Sequence, residues 1–492
     1  VWKTSDLLIG AGIKRSDFPK YMMPFFALIM AESRFVRMGK ELKIELASGG
    51  DKLEIEEFIE EIKDQEKGYN TYLFEHDKTL ADICRNDKTF ERDFDAYLLG
   101  LDAETKDLLG VNKGNDEEKN LDISGVSGLL NKKKILFAFV TAWSEIDLEP
   151  FSNSEITTLE EHIKRKWADI SAETAGEQYT PDDVIGLISY IIASIIENSS
   201  KFLTIYDPTC GGGNMLYGVE DRIKESFPDR PTATYGQDWN DALYALAKIE
   251  SRFRTNSHIE YENIENDKTG RFYDLPAVSD GQLLFMQHLI SKMDTTGMGV
   301  VVHNGSTLFS GDAGSGESNI RKWMFQQDIV QAIIQLPTDE FFNTNIYTYL
   351  WVLNKDKKPE QKHKIMMINA VDKFKLLKKN KGKKRKEVDE ASREDIVQTL
   401  SSFEENEYTR IYDREYFYYN KQAIRLTNLD YKDRTIESLL EGKKKSIKLI
   451  PFTIEQGELS INEFEITEFN KEQYSSLKAY NDLHVKILLQ KL

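Results

Sequence analysis

Three stretches of this chain carry residue types at the spacing of a binding site for a nucleotide-like ligand. The densest is Phe202-Leu203-Thr204-Ile205-Tyr206-Asp207-Pro208-Thr209-Cys210-Gly211-Gly212-Gly213-Asn214-Met215-Leu216. An apolar, β-branched run stops at an acid, turns through consecutive glycines and re-enters a helical pattern. A buried strand, a tight glycine turn and a helix N-terminus form a cradle, because free N–H groups and the helix dipole converge there. The glycines alone are weak evidence, since Leu216 stands where a dinucleotide fingerprint needs its third glycine. Asp207 discriminates better: an acid at the strand end can accept from an amine or, through water, from a ligand cation, and a hydride cofactor does not require it. Asp238 closes Thr234-Tyr235-Gly236-Gln237-Asp238, at about the separation from the turn at which a carboxylate binds both ribose hydroxyls. The third stretch is Glu177-Gln178-Tyr179-Thr180-Pro181-Asp182, a helix start with Thr180 as N-cap and Pro181 in the first turn. Gly311 to Ser318 imitates a phosphate loop, but Glu317 occupies the lysine position and would repel phosphate, so a flexible loop is expected.

The elements that must position these residues follow from periodicity. Residues 1–172 are mostly helical in pattern, with apolar faces over Phe18–Arg37 (bounded by Gly39), Leu53–Asp64, Ile135–Ile146 and Ile156–Ile170, and no site motif. A scaffold or partner-contact role is expected there. From about Gly176 helices and strands alternate. Strands are predicted at 203–206, 232–237, 258–261, 299–303 and 330–336, and helices at 181–196, 214–224, 242–253, 282–293 and 319–327. Tyr347–Leu353 and Lys364–Ile368 resemble a closing antiparallel pair. This alternation predicts an α/β domain over 173–430 with a doubly wound, mostly parallel sheet. The lysine-rich Lys373–Lys386 is expected to be a solvated or mobile connector, with a phosphate-contacting loop as the weaker alternative. Charged helices are predicted over Glu387–Glu405 and Lys471–Leu492. The second, with Tyr474, Leu477, Tyr480 and Ile487 on one stripe, gives residues 431–492 the character of a helical, partner-binding tail.

Glu-Gln-Tyr-Thr-Pro before a helix, Asp-Pro-x-Cys-Gly-x-Gly, and Gly-Gln-Asp together resemble the S-adenosylmethionine site of N6-adenine DNA methyltransferases. More narrowly, they resemble the modification subunit of type I restriction-modification systems. The likeness continues through Leu284-Phe285-Met286-Gln287-His288, Val301-Val302-His303-Asn304-Gly305, Ile320-Arg321-Lys322-Trp323, Ile333-Ile334-Gln335-Leu336-Pro337 and Tyr349 to Lys355, and weakens after about residue 430. The resemblance implies an S-adenosylmethionine-dependent methyltransferase domain behind an N-terminal helical domain. Tyr179, Thr180 and Pro181, with Glu177, Gln178 and Asp182 around them, would line the methionine end of the cofactor. Asp207 and the turn Gly211, Gly212, Gly213 and Asn214 would hold its amino-acid part, and Asp238 its ribose. The implied partners are double-stranded DNA, a DNA-specificity subunit, a second copy of this chain and, in some assemblies, a restriction subunit. A stand-alone adenine methyltransferase and a non-catalytic cofactor-binding assembly subunit are the alternatives.

One part of that family's pattern is missing. The Asn-Pro-Pro-aromatic tetrapeptide that would hold the extruded adenine occurs nowhere in the chain. Glu262–Gly281 is polar and offers no run for the fourth strand that carries it. Omitting that strand would leave the β-edge beside the cradle unpaired. Either the chain is a catalytically dead relative, or a stretch near Asn263–Gly270 is missing from it. The intact residues on both flanks favour the second, as do the start at Val1 and the end within a periodic helix. No catalytic residue is assigned.

Composition narrows the classes. At 492 residues with 40% apolar residues the chain has material for two or three cored domains, and no run is long enough for a membrane span. Two distant cysteines and no His/Cys/Asp spacing argue against disulfides and metals, and a reducing cytoplasm is expected. A net charge of −18 argues against gripping a long phosphate backbone alone, which fits a subunit whose partner reads the DNA.

Overall fold

In the computed structural model the parallel sheet starts where the β-branched run predicts it. Residues 2–49, 54–112, 121–151, 156, 180–196, 201–261, 270–342 and 344–418 are described, with four short strands between 447 and 466. The proposed boundaries at 172/173 and 430/431, most of the helix at 156–170 and all of the helix at 471–492 lie outside them. Residues 1–419 form one compact unit and 420–492 another.

The helical layer consists, among the described residues, of α1 (Trp2–Gly10), α2 (Phe18–Gly49), α3 (Ile55–Asp64), α4 (Thr71–His76), α5 (Leu80–Ile83), α6 (Phe90–Leu99), α7 (Ala103–Leu109), α8 (Ile123–Lys132) and α9 (Leu136–Ser144). The α2 helix runs past Gly39, which was expected to end it. A Cβ at Gly39 would lie 2.7 Å from Phe74, so glycine there serves a close approach to α4. Phe25, Phe26, Phe94, Phe139 and Trp143 fill the helical core. The same core takes Ala245, Leu246 and Ile249 from α12 (Asp241–Ser251). Buried Arg34 donates to Glu250 at 2.9 Å, and Arg252 reaches Asp102 at 3.0 Å. The helical layer therefore holds the helix that follows Asp238.

Strands β1 (Leu203–Asp207), β2 (Thr232–Asp238) and β3 (Ser257–Tyr261) are parallel in the order β1-β2-β3. A second sheet has the order β10-β7-β5-β6-β4, built from β4 (Met298–Asn304), β5 (Val330–Gln335), β6 (Thr348–Asn354), β7 (Lys364–Asn369) and β10 (Thr409–Asp413). The expected β6–β7 pair is not formed. The β6 strand inserts between β4 and β5, antiparallel to both, while β7 runs parallel to β5. Leu350 to Leu353 are buried throughout, so β6 needs partners on both edges and cover on both faces.

Helices α10 (Asp182–Ile195), α11 (Asn214–Ser226) and α16 (Glu390–Ser402) cover one face. The other carries α13 (Gln282–Lys292) and α15 (Gly316–Gln326), with the short α14 (Ser306–Phe309) following β4. This is the doubly wound arrangement. Leu203 and Ile205 of β1 pack against the same core as Val300 and Val302 of β4. Yet among the described residues no strand pairs with the free edge of either β1 or β4.

The lysine-rich segment is no loose connector: β8 (Lys375–Lys381) and β9 (Lys384–Glu387) form an antiparallel hairpin. In the second unit, β11 (Ile447–Leu449) pairs with β14 (Phe464–Ile466), and β12 (Phe452–Glu455) with β13 (Glu458–Ile461), so the part of the 431–492 tail that is described forms strands where a helical tail was expected. No helix among the described residues is long and apolar enough to cross a membrane.

Candidate ligand-binding site

The glycine turn is shaped by its own backbone. Strand β1 ends at Asp207, whose Oδ1 accepts the Thr209 N–H at 3.0 Å. Cys210 N–H donates to the Gln237 carbonyl at 2.9 Å and Gly213 N–H to the Cys210 carbonyl at 2.8 Å. Gly211 and Gly213 both have positive φ, +56° and +91°. At Gly213 a Cβ would also lie 2.2 Å from the Tyr217 ring, so the requirement for glycine is steric as well as torsional. Gly212 lies between them.

Asp238 fastens this turn to β2. Its Oδ2 accepts the Gly211 N–H at 2.9 Å and its Oδ1 the Asn240 N–H at 2.8 Å. A carboxylate has about four lone-pair sites, so two remain for a ligand's hydroxyls. Trp239, next in sequence, is 70% exposed and offers a flat stacking face beside that carboxylate. Periodicity did not single it out; the signal was a large aromatic directly after a strand-end acid.

Helix α11 begins at Asn214 with Gly213 as N-cap and no capping side chain, leaving first-turn N–H groups for an incoming acceptor. Asn214 is buried, and its Oδ1 has no protein partner. Ile185 of α10 meets Gly218 of α11, and the Arg222 guanidinium lies 3.8 Å over the Tyr190 ring. The contacts advance together along both sequences, so the helices run parallel and Pro181 starts beside the Asn214 end. Pro181 itself, extended at φ −63° and ψ 151°, occupies the N-cap position expected for Thr180, and the helix begins at Asp182. Thr180 is half-buried, Pro181 buried and Asp182 exposed, whereas Glu177, Gln178 and Tyr179 lie outside the described residues.

The site is acidic, and no counter-cation faces it among the described residues. Burial, reinforced by the Asp238 charge and only partly offset by the Thr209 amide, pushes Asp207 up to about 6. Burial, with both carboxylates adding to it, pushes the Cys210 thiol well up, so it is no nucleophile. No ion pair to Asp207 or Asp238 occurs among the described residues. Such a floor favours a ligand carrying positive charge and disfavours a pyrophosphate.

Across the open edge of β1 the surroundings differ. Tyr206 Oη lies 2.6 Å from His288 Nε2 and also meets Gln237, while Arg271 meets His288 Nδ1. His288 therefore ties β1 to α13 and to the segment at 271. At the carboxyl end of β4, Asp280 accepts from Gln282 and Ser306, and Gln282 accepts the Asn304 N–H. Burial lowers His303 to about 4, and its Nδ1 has no protein partner. The phosphate-loop imitation at 311–318 is an ordered joint: Glu317 accepts the Ala277 N–H at 2.9 Å, and a Cβ on Gly316 would lie 1.7 Å from the Leu275 carbonyl oxygen. No metal-ligating cluster occurs among the described residues.

Comparison with known proteins places this geometry in a family. The sequence matches the N-6 DNA Methylase family over residues 155–256 and 253–424, more than half of the chain. Among similar curated proteins is the type I restriction enzyme MjaVII methylase subunit of Methanocaldococcus jannaschii, 26% identical over 344 residues, covering 61% of this chain and 57% of that one. Another is the MpnII methylase subunit of Mycoplasma pneumoniae, 24% identical over 414 residues and covering 72% of each. Against the first three such relatives the matched stretch spans about half of their own length. The fold resembles the crystal structure of a type I restriction-modification methyltransferase subunit from Streptococcus thermophilus, with TM-score 0.62, 19% identity, and coverage of 84% of this chain and 94% of that one. A putative type I modification subunit from Vibrio vulnificus gives TM-score 0.51 at 14% identity, covering 90% and 98%.

Proposed function

The chain belongs to the N-6 DNA methylase family, and from that premise we propose that it binds S-adenosylmethionine and serves as the modification subunit of a type I restriction-modification complex that methylates adenine N6 in DNA. The observation that carries this reading is the pair of carboxylates on the glycine turn, Asp207 at the end of β1 and Asp238 bonded to Gly211 N–H, with no balancing cation among the described residues. S-adenosylmethionine supplies a sulfonium methyl for in-line displacement by an amino nitrogen, and it also carries an ammonium, a carboxylate and a ribose diol. The donor set matches each group. Asp207 suits the ammonium, the first-turn N–H groups of α11 from Asn214 onward and the partnerless Asn214 Oδ1 suit the amino-acid end, and the remaining lone pairs of Asp238 suit the diol. Trp239 supplies a stacking face for the adenine ring, and Thr180 and Pro181 start the neighbouring helix at the same end. Glu177, Gln178, Tyr179, Gly212 and Asp182 are assigned to the same site by sequence pattern.

The chain's contribution to catalysis is positioning and desolvation of a flipped base, since methyl transfer needs no proton relay before attack. The acceptor half falls between the free edges of β1 and β4, where the adenine-holding tetrapeptide of the family has no counterpart in this sequence. An acidic chain of net charge −18 suits a cytoplasmic assembly in which a separate specificity subunit reads the DNA, a second copy of this chain completes the methylase, and a restriction subunit joins in some systems. Calorimetric titration tests the donor half: saturable binding of S-adenosylmethionine is expected, and its absence would refute the reading. Tight, sequence-specific DNA binding by the isolated chain would refute the multi-subunit part.

A further inference from the structure

Lys373–Lys386 holds nine Lys or Arg and no acid in a chain of net charge −18. The turn of the β8–β9 hairpin places Gly382, at φ +65°, in the first central position between paired Lys381 and Lys384. Lys378, Lys379, Lys381, Lys383 and Arg385 are exposed, and none of them has an ion pair among the described residues. Two neighbours are spoken for internally: Lys373 pairs with Asp395, and Lys386 lies over the Phe374 ring.

The hairpin's base is locked in place. Lys384 is buried and donates from Nζ to Asp183 Oδ2 at 2.9 Å, to the Glu340 carbonyl at 2.8 Å and to the Glu340 carboxyl. Asp183 also accepts the Val388 N–H at 2.9 Å. Lys383 N–H bonds the Phe342 carbonyl and Arg385 N–H the Asp339 carbonyl, each at 2.8 Å. Asp183 lies in the first turn of α10, whose start is beside the glycine turn, so a rigid cationic ridge stands at the rim of the cofactor site. Ordering five like charges on one short hairpin is repulsive, and a solvated lysine tail would need no buried ionic anchor. A polyanion passing the site would relieve that repulsion.

We infer that the β8–β9 hairpin is the surface by which this chain contacts the sugar-phosphate backbone of duplex DNA next to the methyl-donor site. The inference rests on the methyltransferase reading for its substrate. These contacts are to phosphate and carry no sequence information, which agrees with base reading elsewhere in the complex.

The test compares the full 492-residue chain with a variant carrying Lys378→Ala, Lys379→Ala, Lys381→Ala and Lys383→Ala. A control variant neutralises four exposed lysines of the helical layer, Lys14, Lys20, Lys88 and Lys132. Binding to a non-specific duplex is measured over a salt series, and binding of S-adenosylmethionine by calorimetry. Each phosphate contact adds about 0.9 to the slope of log K against log salt, so the hairpin variant should lose about 2–4 from that slope and at least about tenfold in affinity at low salt. The control should keep the slope, and both variants should keep cofactor affinity. An unchanged slope in the hairpin variant, or wild-type protein with no measurable duplex binding, overturns the inference. Loss of assembly with partner subunits at an unchanged slope also overturns it and makes the ridge a protein contact. Failure of the wild-type chain to bind S-adenosylmethionine defeats the methyltransferase reading instead, which the salt slope does not measure.

Discussion

The two halves of the ligand-binding region are built to different standards. On the donor side, β1, the glycine turn and β2 close on themselves, with Thr209, Cys210, Gly211, Gly213 and Asn240 each placing a backbone N–H on a partner of the turn. On the acceptor side, β1 and β4 share a core but no hydrogen-bond ladder, and polar side chains such as His288 and Asp280 hold the surroundings. Among the described residues, the donor side is therefore closed by backbone hydrogen bonds while the acceptor side is left open. Perturbing each half separately should reveal that difference.

The largest effect is expected where the hairpin and α10 are joined. Burial and the neighbouring Asp183 push Glu340 strongly up, whereas Glu340 and Lys384 hold Asp183 low despite its own burial. Lys384→Met would leave a buried carboxylate without its cation. Thermal unfolding should show a loss of about 3–5 kcal/mol, and a change under about 1 kcal/mol would show that the cluster does not hold the rim.

Within the donor half the two outer glycines should separate. Gly213→Ala combines positive φ with a clash against Tyr217 and should cost more than the ~1–3 kcal/mol of backbone strain alone. Gly211→Ala, with open space around its Cβ, should stay within that strain. Equal destabilisation in melts of the two variants would contradict the packing argument.

Asp238→Ala should weaken S-adenosylmethionine binding by about 1–3 kcal/mol. Asp280→Ala, in the acceptor-side network, should leave cofactor affinity unchanged. Equal losses would erase the distinction between the halves.

The remaining effects are in pH. An ammonium ligand needs Asp207 ionised, so cofactor affinity should be flat above pH about 6 and fall by up to about tenfold per unit below it. For stability the halves oppose each other. The raised Asp207 favours the ligand-free fold at low pH, a contribution lost as pH rises through about 6. The lowered His303 contributes fully above its ordinary 6.5 and loses that contribution as pH falls toward about 4, by roughly 1.4 kcal/mol per unit. Melts of Asp207→Asn and His303→Gln across pH 4–8 should therefore shift in opposite senses.

What was legible in the sequence was local. The strand-turn-helix over 203–226 and the acid ending β2 depend on neighbours within a few residues, and both lie where periodicity and glycine spacing put them. What was not legible depended on distant partners. The apolar run of β6 calls for a central strand, but nothing in its own residues identifies β4 and β5 as the partners. The hairpin at 375–387 looked like a connector because lysine favours solvent, and its anchor, Asp183, is some two hundred residues away. Thr180 has the chemistry of an N-cap, but Pro181 took the extended cap conformation one residue later. Glu317 resembled a spoiled phosphate loop because its partner, Ala277 N–H, is forty residues upstream.

The central claim is that two carboxylates on a glycine turn select a cationic methyl donor over a phosphate-bearing dinucleotide. One calorimetric experiment tests it, titrating the chain with S-adenosylmethionine and, separately, with a nicotinamide dinucleotide. Saturable one-to-one binding of the first and none of the second is predicted. Binding of the dinucleotide, or no heat from S-adenosylmethionine, would contradict the account.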